Sequence, residues 1–455
     1  MEADQPFPSQ SLSQVKTEAI RLEVKLLAAL LFYLPLAYSK LGRIYLSIAG
    51  LSASARVDAS QAFLIPSFLI GVVLLALRYS RYPQVNKHPL RYLIEFSFVC
   101  WFVGATLSSI NQWNINRTAV NYVSTFITLP ILYHAARDMA LSRKDLNVLF
   151  TALCLGTLPV LTISLYYYYK AFSVPSLLVL LLSRYDIPKM TGYREWTFGN
   201  TGNTAAFLML TMFPVMMMFR SKENPKHLHR LYGFTFFLMC VHFVIIQSRV
   251  TFIIALALLP VLIFLFSATT KQFLTRITGL IVFFTVLIGI LFATGGTGLI
   301  TLLDRFQNAA SANQEEDDSV RERVHSMVQG RRVFETHWEM GIGIGNTRDY
   351  ILETAVHQFN LNQGTELGIL GFIASILLCI GTAARTAIFI FEAKRKAWGW
   401  ERLAFALGPF CYLVYGAIGN MPLNIGVINT WMSLLILFTA FYDYLPIEET
   451  TPSTP

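Results

Sequence analysis

Charge is what this sequence has least of. Only 14% of its 455 residues are Asp, Glu, Lys or Arg, against about 25% in an ordinary soluble domain. That shortage excludes a single water-soluble globule. Cysteine is scarce as well. Cys100, Cys154, Cys240, Cys379 and Cys411 all fall inside apolar runs, and none has metal-ligand spacing. A disulfide framework and a thiolate metal centre are therefore not expected, and the five read as small core residues. There is no HExxH, no Walker motif, no CxxC pair and no nucleophile elbow, so the best-marked hydrolase and nucleotide chemistries find no foothold. No internal repeat or heptad pattern is visible. Residues 1–24 are polar, and no small-residue cleavage site follows the first apolar run. That run is expected to serve as an uncleaved insertion signal.

What is abundant is apolar length. Hydrophobic residues make up 54% of the chain, and they come in runs of roughly 17 to 25, the length that crosses a bilayer as a helix. Helices satisfy their own backbone polar groups in lipid, whereas an open sheet does not. The expected fold is an all-α polytopic membrane protein. About twelve spans are expected from hydropathy, near 25–40, 62–78, 92–112, 120–137, 148–169, 204–219, 231–247, 250–267, 277–295, 367–392, 402–419 and 423–445. This divides the chain into an N-terminal segment 1–24, nine spans within 25–295, a large polar insertion 296–366, three spans within 367–445 and a tail 446–455.

The net charge of +9 is better read from its arrangement than as affinity for nucleic acid. With the N-terminus cytoplasmic, the short even-numbered connections hold the basic clusters: Arg78, Arg81, Lys87 and Arg91; Arg137, Arg143 and Lys144; Arg220, Lys222, Lys226 and Arg230; Lys271 and Arg276; Arg385, Lys394, Arg395, Lys396 and Arg402. That is the positive-inside pattern. The C-terminal tail is then cytoplasmic too, and two long connections face outward, 171–203 and 296–366. Long loops in a compact helical protein are usually functional. Asp304–Val333, within the larger loop, mixes charge with apolar residues as one or two amphipathic helices would. Tyr166–Tyr169, at a span end, reads as an interfacial aromatic belt.

Three basic side chains stand out on the outer side. His357 lies about ten residues before the tenth span, in His357-Gln358-Phe359-Asn360, ahead of Glu366, Gly368 and Gly371. Histidine titrates nearest neutral pH and can take a proton from a hydroxyl. Arg249 stands in a compact polar knot with Gln247, Ser248 and Thr251 between two apolar spans. Its planar fork suits phosphate. Arg194 precedes a turn of Gly199, Asn200, Gly202 and Asn203 at the start of the sixth span. Asn203 or Thr204 can cap that helix, and a helix N-terminus attracts anions. Gly341, Gly343 and Gly345 alternate as in a phosphate loop, but no strand or βαβ unit surrounds them, so tight backbone turning is expected instead. His337 lies close by as a helper or a decoy, and Glu315–Asp318 reads as a solvated face.

Taken in order, these motifs resemble the O-antigen ligase and polymerase superfamily of bacterial inner-membrane, lipid-linked-glycan transferases. Arg194 with the following FGNTGNTAA resembles the family's arginine before a Gly/Asn turn. Gln247-Ser248-Arg249 resembles its Ser-Arg pair at the mouth of two spans. GIGIGN, His357, Glu366 and Gly368 resemble its glycine turn, outer-loop histidine and Glu-x-Gly. There are departures. Gln358 follows His357 where the family often has Asn, with Asn360 displaced, and Val250 follows Arg249 where a small residue is common.

The resemblance implies a GT-C-like helical fold, with the loop 296–366 periplasmic. It implies transfer of a glycan from undecaprenyl pyrophosphate to an acceptor hydroxyl, with lipid pyrophosphate leaving. The acceptor would be lipid A-core in a ligase, a second lipid-linked repeat in a polymerase, or a protein hydroxyl in an oligosaccharyltransferase. One dominant outer loop fits a ligase best. The expected roles are His357 as base, with Glu366 or Asn360 orienting its ring, and Arg249 and Arg194 neutralising the leaving pyrophosphate. Gln247, Ser248, Asn203, Asn360 and Glu366 are expected around the substrates. No metal, cofactor or nucleic acid is expected, and membrane lipids are. The rival from another class is a lipid-glycan flippase, but such carriers place charges at mid-membrane depth and show repeated halves.

Overall fold

The computed structural model describes residues 10–39, 64–81, 89–111, 126–137, 139, 141–172, 197–198, 201–221, 224–246, 248–267, 269–293, 318–350, 356, 358–395, 399–417 and 425–441. Among them every regular element is a helix. In chain order these are α1 (Gln10–Tyr38), α2 (Leu64–Arg81), α3 (Pro89–Asn111), α4 (Thr128–Ala136), α5 (Arg143–Phe172), α6 (Thr201–Arg220) and α7 (Lys226–Ile246). They continue with α8 (Arg249–Phe266), α9 (Thr270–Ala293), α10 (Asp318–Thr336), the single turn α11 (Thr347–Tyr350), α12 (Phe359–Arg395), α13 (Gly399–Tyr415) and α14 (Ile425–Phe441).

Each of the twelve apolar runs overlaps one helix. Among the described residues five helices are long and apolar enough to cross a membrane: Leu90–Asn111, Lys144–Lys170, Gly202–Arg220, Lys226–Ile246 and Phe359–Phe391. Shorter apolar stretches lie in α2, α8, α13 and α14. The flank Ile44–Ala55, the loop core 173–196 and the acidic run Glu315–Asp317 lie outside the described residues.

Local chemistry accounts for several helix starts. α3 opens on Pro89, whose missing N–H costs nothing in the first turn. Ser142 and Asp145 cap α5 reciprocally: the Asp145 N–H donates to Ser142 Oγ (3.2 Å), and the Ser142 N–H donates to Asp145 Oδ2 (2.8 Å), as in a capping box. Thr269 Oγ1 accepts the N–H of Gln272 at the head of α9. The amphipathic pattern within Asp304–Val333 yields α10, which buries Ser326 and Gly330 and exposes Arg331, Arg332 and Glu335.

The helices pack closely where glycine meets backbone. A Cβ at Gly156 would strike the Phe32 carbonyl, one at Gly408 the Leu210 carbonyl, and one at Gly104 would lie 3.1 Å from Leu370 Cβ. These positions draw α1 to α5, α6 to α13 and α3 to α12. Small residues permit such close approach where lipid supplies no hydrophobic drive. Serine adds hydrogen bonds: Ser97 Oγ donates to Ala374 O (2.7 Å) and Ser108 Oγ to Glu366 O (2.5 Å).

Those contacts fix directions. Ser97 meets Ala374 and Ser108 meets Glu366, so α3 and α12 are antiparallel. Tyr415 Oη donates to Gly202 O (3.4 Å) at one end of α13 and α6. Further along α12, Arg385 Nη1 donates to Thr439 O (3.1 Å). At the N-terminal end of α3, Arg91 Nε bonds Glu95 Oε1 (2.8 Å), and Arg137 bonds the same oxygen. Gly381 packs against Leu93 and Ile94, so the register of α3 and α12 puts Arg91 and Arg385 at the same level.

Hydropathy starts the tenth span at residue 367, but α12 begins at Phe359 and is broken at Gly368, whose φ of 70° and ψ of −159° are not helical. The piece Phe359–Leu367 doubles back against the remainder. Gly371 abuts the Gln363 carbonyl, and Asn360 Oδ1 accepts from Cys379 Sγ at 3.9 Å. Polar Asn360, Asn362, Gln363 and Glu366 hide this half-helix from a hydropathy window.

Candidate functional site

Four of the expected site residues carry described side chains, namely Asn203, Ser248, Asn360 and Glu366. Arg194, Gln247 and His357 lie outside the described residues, and Arg249 is described as backbone only, the first residue of α8.

Three helix starts share one level of the bundle. Thr386 Oγ1 bonds Ala406 O (3.2 Å), and carrying that antiparallel register upward sets Tyr415 opposite the stretch of α12 around Cys379. Tyr415 reaches Gly202 at the start of α6, while Cys379 reaches Asn360 at the start of the half-helix. Phe219 packs on His229 and Gly233, so α7 runs back along α6 and its last residue, Ile246, lies opposite Ala206. Arg249 opens α8 three residues later. α13 touches α6, α8 and α12, so these starts are grouped around its upper end.

At the start of α6, Asn203 is buried, and its Nδ2 donates to Phe198 O (2.8 Å). This ties the chain before the helix onto its first turn. Ser248 is the residue before α8 and forms no side-chain cap, while Thr251 Oγ1 donates to Ser248 O (2.7 Å). The half-helix is anchored at its start by Phe359, whose ring stands edge-on to Trp101 of α3 with centroids 6.3 Å apart.

The glycine segment is built onto the break in α12. Gly341, Gly343 and Gly345 have φ of 72°, 93° and 81°, the tight turning that their alternation suggested. A Cβ on Gly341 would run into the Glu366 carbonyl, and one on Gly368 would lie 2.6 Å from Glu339 O. Three backbone bonds lock the two segments together: Ile342 N–H to Thr365 O (2.9 Å), Gly343 N–H to Glu366 O (3.2 Å) and Ile369 N–H to Trp338 O (2.6 Å). These residues find their partners across the break because the kink frees carbonyls that a straight helix would use.

Glu366 sits at the centre. Its carbonyl accepts from Ser108 and Gly343, and its buried carboxyl accepts from Thr347 Oγ1 (2.7 Å), the Gly345 N–H and the Asn362 side chain. Thr347 also donates toward Asn362 Oδ1 (3.4 Å). Sequence reading singles out Glu366 but passes over Thr347, Asn362 and Ser108, whose partners lie 15 to 258 residues away. His337 follows the last residue of α10, accepts the Gly341 N–H on its carbonyl (2.8 Å), and stacks edge-on with Tyr350 at 5.7 Å. Among the described residues no group of three or more His, Cys, Asp or Glu could hold a metal ion. No family model matches this chain, and no curated protein matches it.

Proposed function

We propose that this protein is a membrane glycosyltransferase that moves a glycan from undecaprenyl pyrophosphate to an acceptor hydroxyl. The reading is completed by O-antigen ligation onto lipid A-core at the periplasmic face of a bacterial inner membrane. The observation that carries it is the shared level of the starts of α6, α8 and the half-helix. Seven residues before α6 stands Arg194, Arg249 opens α8, and two residues before the half-helix stands His357.

The chemistry asks for this grouping. Pyrophosphate is a good leaving group, so bond breaking needs charge neutralisation more than acid. Two arginines beside helix N-termini supply it. The acceptor oxygen must lose a proton as it attacks the anomeric carbon, and His357 is the base assigned to that step. Nucleoside triphosphate has no place in this balance, because the energy lies in the donor linkage.

Charge supports a site on the outer side of the membrane. Arg91 and Arg137, beside the N-terminal end of α3, lie on the side of the bundle away from the glycine segment. Under the positive-inside rule that end is cytoplasmic, which supports an outer site and a twelve-span topology. Beyond Gly368, α12 runs about 40 Å at 1.5 Å per residue, longer than the roughly 30 Å hydrocarbon core. Its upper end can therefore rise past the lipid tails, and the half-helix, about 13 Å long, runs back down beside it.

The test is glycan transfer by purified protein in detergent, with lipid-linked donor, lipid A-core acceptor and no membrane gradient. Ligated product is expected. A product made only with a second lipid-linked repeat reassigns the protein to polymerisation. Absence of any product, with donor movement across vesicles instead, replaces the enzyme with a carrier.

A further inference from the structure

Among the described residues, Glu366 is the acidic side chain that joins both halves of the glycine latch, the turn Gly341–Thr347 and the half-helix. Its backbone carbonyl is held by Ser108 of α3 and by Gly343. Its carboxyl is held by Thr347 and Gly345 on one side and by Asn362 of its own half-helix on the other. The group is buried, and a buried carboxyl is costly to keep unless its bonds are made. The contacts described for Glu366 run to α3, to the glycine turn and to its own half-helix. They point to a clamp between the turn Gly341–Thr347 and the half-helix that follows His357.

We propose that Glu366 is a positioning residue, whose carboxyl locks the turn to the half-helix and so holds His357 for proton transfer without touching donor or acceptor. The inference rests on the transferase reading for its catalytic consequence. Its physical basis is that a base must be held within a few tenths of an ångström, and small misplacement costs rate rather than affinity. Half-helix and turn are otherwise tied through backbone bonds at the break and the longer Thr347–Asn362 contact (3.4 Å). The carboxyl is the closer tie that reaches past Gly343 to Gly345 and Thr347, and Thr347 begins α11.

Glu366→Ala removes the acceptor and leaves Thr347, Gly345 and Asn362 with a lost partner. Glu366→Gln keeps one acceptor oxygen at the same reach. Thr347→Val removes one donor from the opposite side with little change of shape. Two readouts should be taken on each purified full-length variant. The first is transfer kinetics with lipid-linked donor across pH. The second is amide hydrogen exchange in segments 341–350 and 358–367. For Glu366→Ala we expect kcat to fall about a hundredfold, with KM for donor within threefold and faster exchange in both segments. Glu366→Gln should recover to within about tenfold of wild type, and Thr347→Val should fall between the two. The acid limb of the profile should stay in place in Glu366→Gln, because the ionising base is a different residue.

A rise in KM at constant kcat would make Glu366 a substrate contact and overturn the clamp. Loss of the acid limb in Glu366→Gln would make it the base itself and overturn the clamp equally. Wild-type kinetics in Glu366→Ala would do the same. If the wild type transfers no glycan, the transferase reading fails. Exchange then decides the clamp alone: unchanged exchange in Glu366→Ala and Thr347→Val removes it, and faster exchange in both segments retains it as a structural lock.

Discussion

Asn360 Oδ1 lies 3.9 Å from Cys379 Sγ, though nineteen residues of one continuous helical segment separate them. A straight α-helix would hold them about 28 Å apart at 1.5 Å per residue. The reversal at Gly368 therefore makes α12 two helices laid side by side, and it decides where Phe359 meets Trp101 of α3.

That contact can be tested without any activity. Asn360→Cys, in a background keeping Cys379 as the sole other thiol, should form an intramolecular disulfide under mild oxidant. Mass spectrometry would read the loss of two hydrogens and one cross-linked peptide pair. A disulfide needs Cβ atoms roughly 3.5 to 4.5 Å apart, which a straight helix cannot offer. Two free thiols after oxidation would unfold the proposed elbow.

The glycines make a second test through stability. A Cβ at Gly408 would strike the Leu210 carbonyl, whereas one at Gly279 of α9 meets nothing within 4 Å. Gly408→Ala should lower the thermal midpoint in detergent, at an overpacking cost of about 1–3 kcal/mol. Gly279→Ala should leave it unchanged or raise it, because alanine favours a helix interior over glycine by roughly 0.5–1 kcal/mol. Equal midpoints for the two variants would mean that α6 and α13 do not cross at Gly408.

Much of this architecture is legible in the chain because lipid imposes simple demands. Apolar length marks helices α1 to α9 and α12 to α14 almost one for one, and the amphipathic stretch marks α10. The half-helix Phe359–Leu367 escapes for a physical reason: its Asn360, Asn362 and Glu366 side chains meet partners that no local pattern encodes. Glu366 looks like a polar residue at a membrane entrance. Its link to Thr347 and Ser108 appears only once α3, the glycine turn and the break in α12 are brought together. Asn203 likewise reads as a cap or a ligand, while in the fold its amide holds Phe198.

Arg249 begins α8 in the short connection after α7. Arg249→Ala and Arg249→Lys should both lose most glycan transfer, because lysine cannot give two parallel hydrogen bonds to phosphate. Removing one such charge-stabilising donor costs about 3–4 kcal/mol, or roughly a hundred- to thousandfold in rate. Arg194→Ala should behave similarly. The comparison requires equal membrane abundance, measured by quantitative blotting. Near-normal turnover of both Arg249 variants would leave this arginine a side chain that merely reaches for headgroups.

The last prediction separates the two histidines of the outer segment. His337 has a structural account: it follows the last residue of α10, its carbonyl accepts the Gly341 N–H, and its ring packs on Tyr350. His357 precedes the half-helix that the glycine latch holds in place, and it is the base assigned to the acceptor hydroxyl. His357→Ala should fold, bind donor and transfer glycan about a hundred- to ten-thousandfold more slowly, the usual consequence of losing a general base. His337→Ala should keep most of its turnover. A base works deprotonated, so wild-type kcat should be full at high pH and should fall as pH drops through the ionisation of an ordinary histidine, around 6.5. That limb should vanish in His357→Ala and persist in His337→Ala. If His337→Ala is dead while His357→Ala turns over, the base has been assigned to the wrong ring. If both variants turn over with the acid limb intact, proton transfer is not carried by either histidine, and charge neutralisation by the arginines is left to account for the rate.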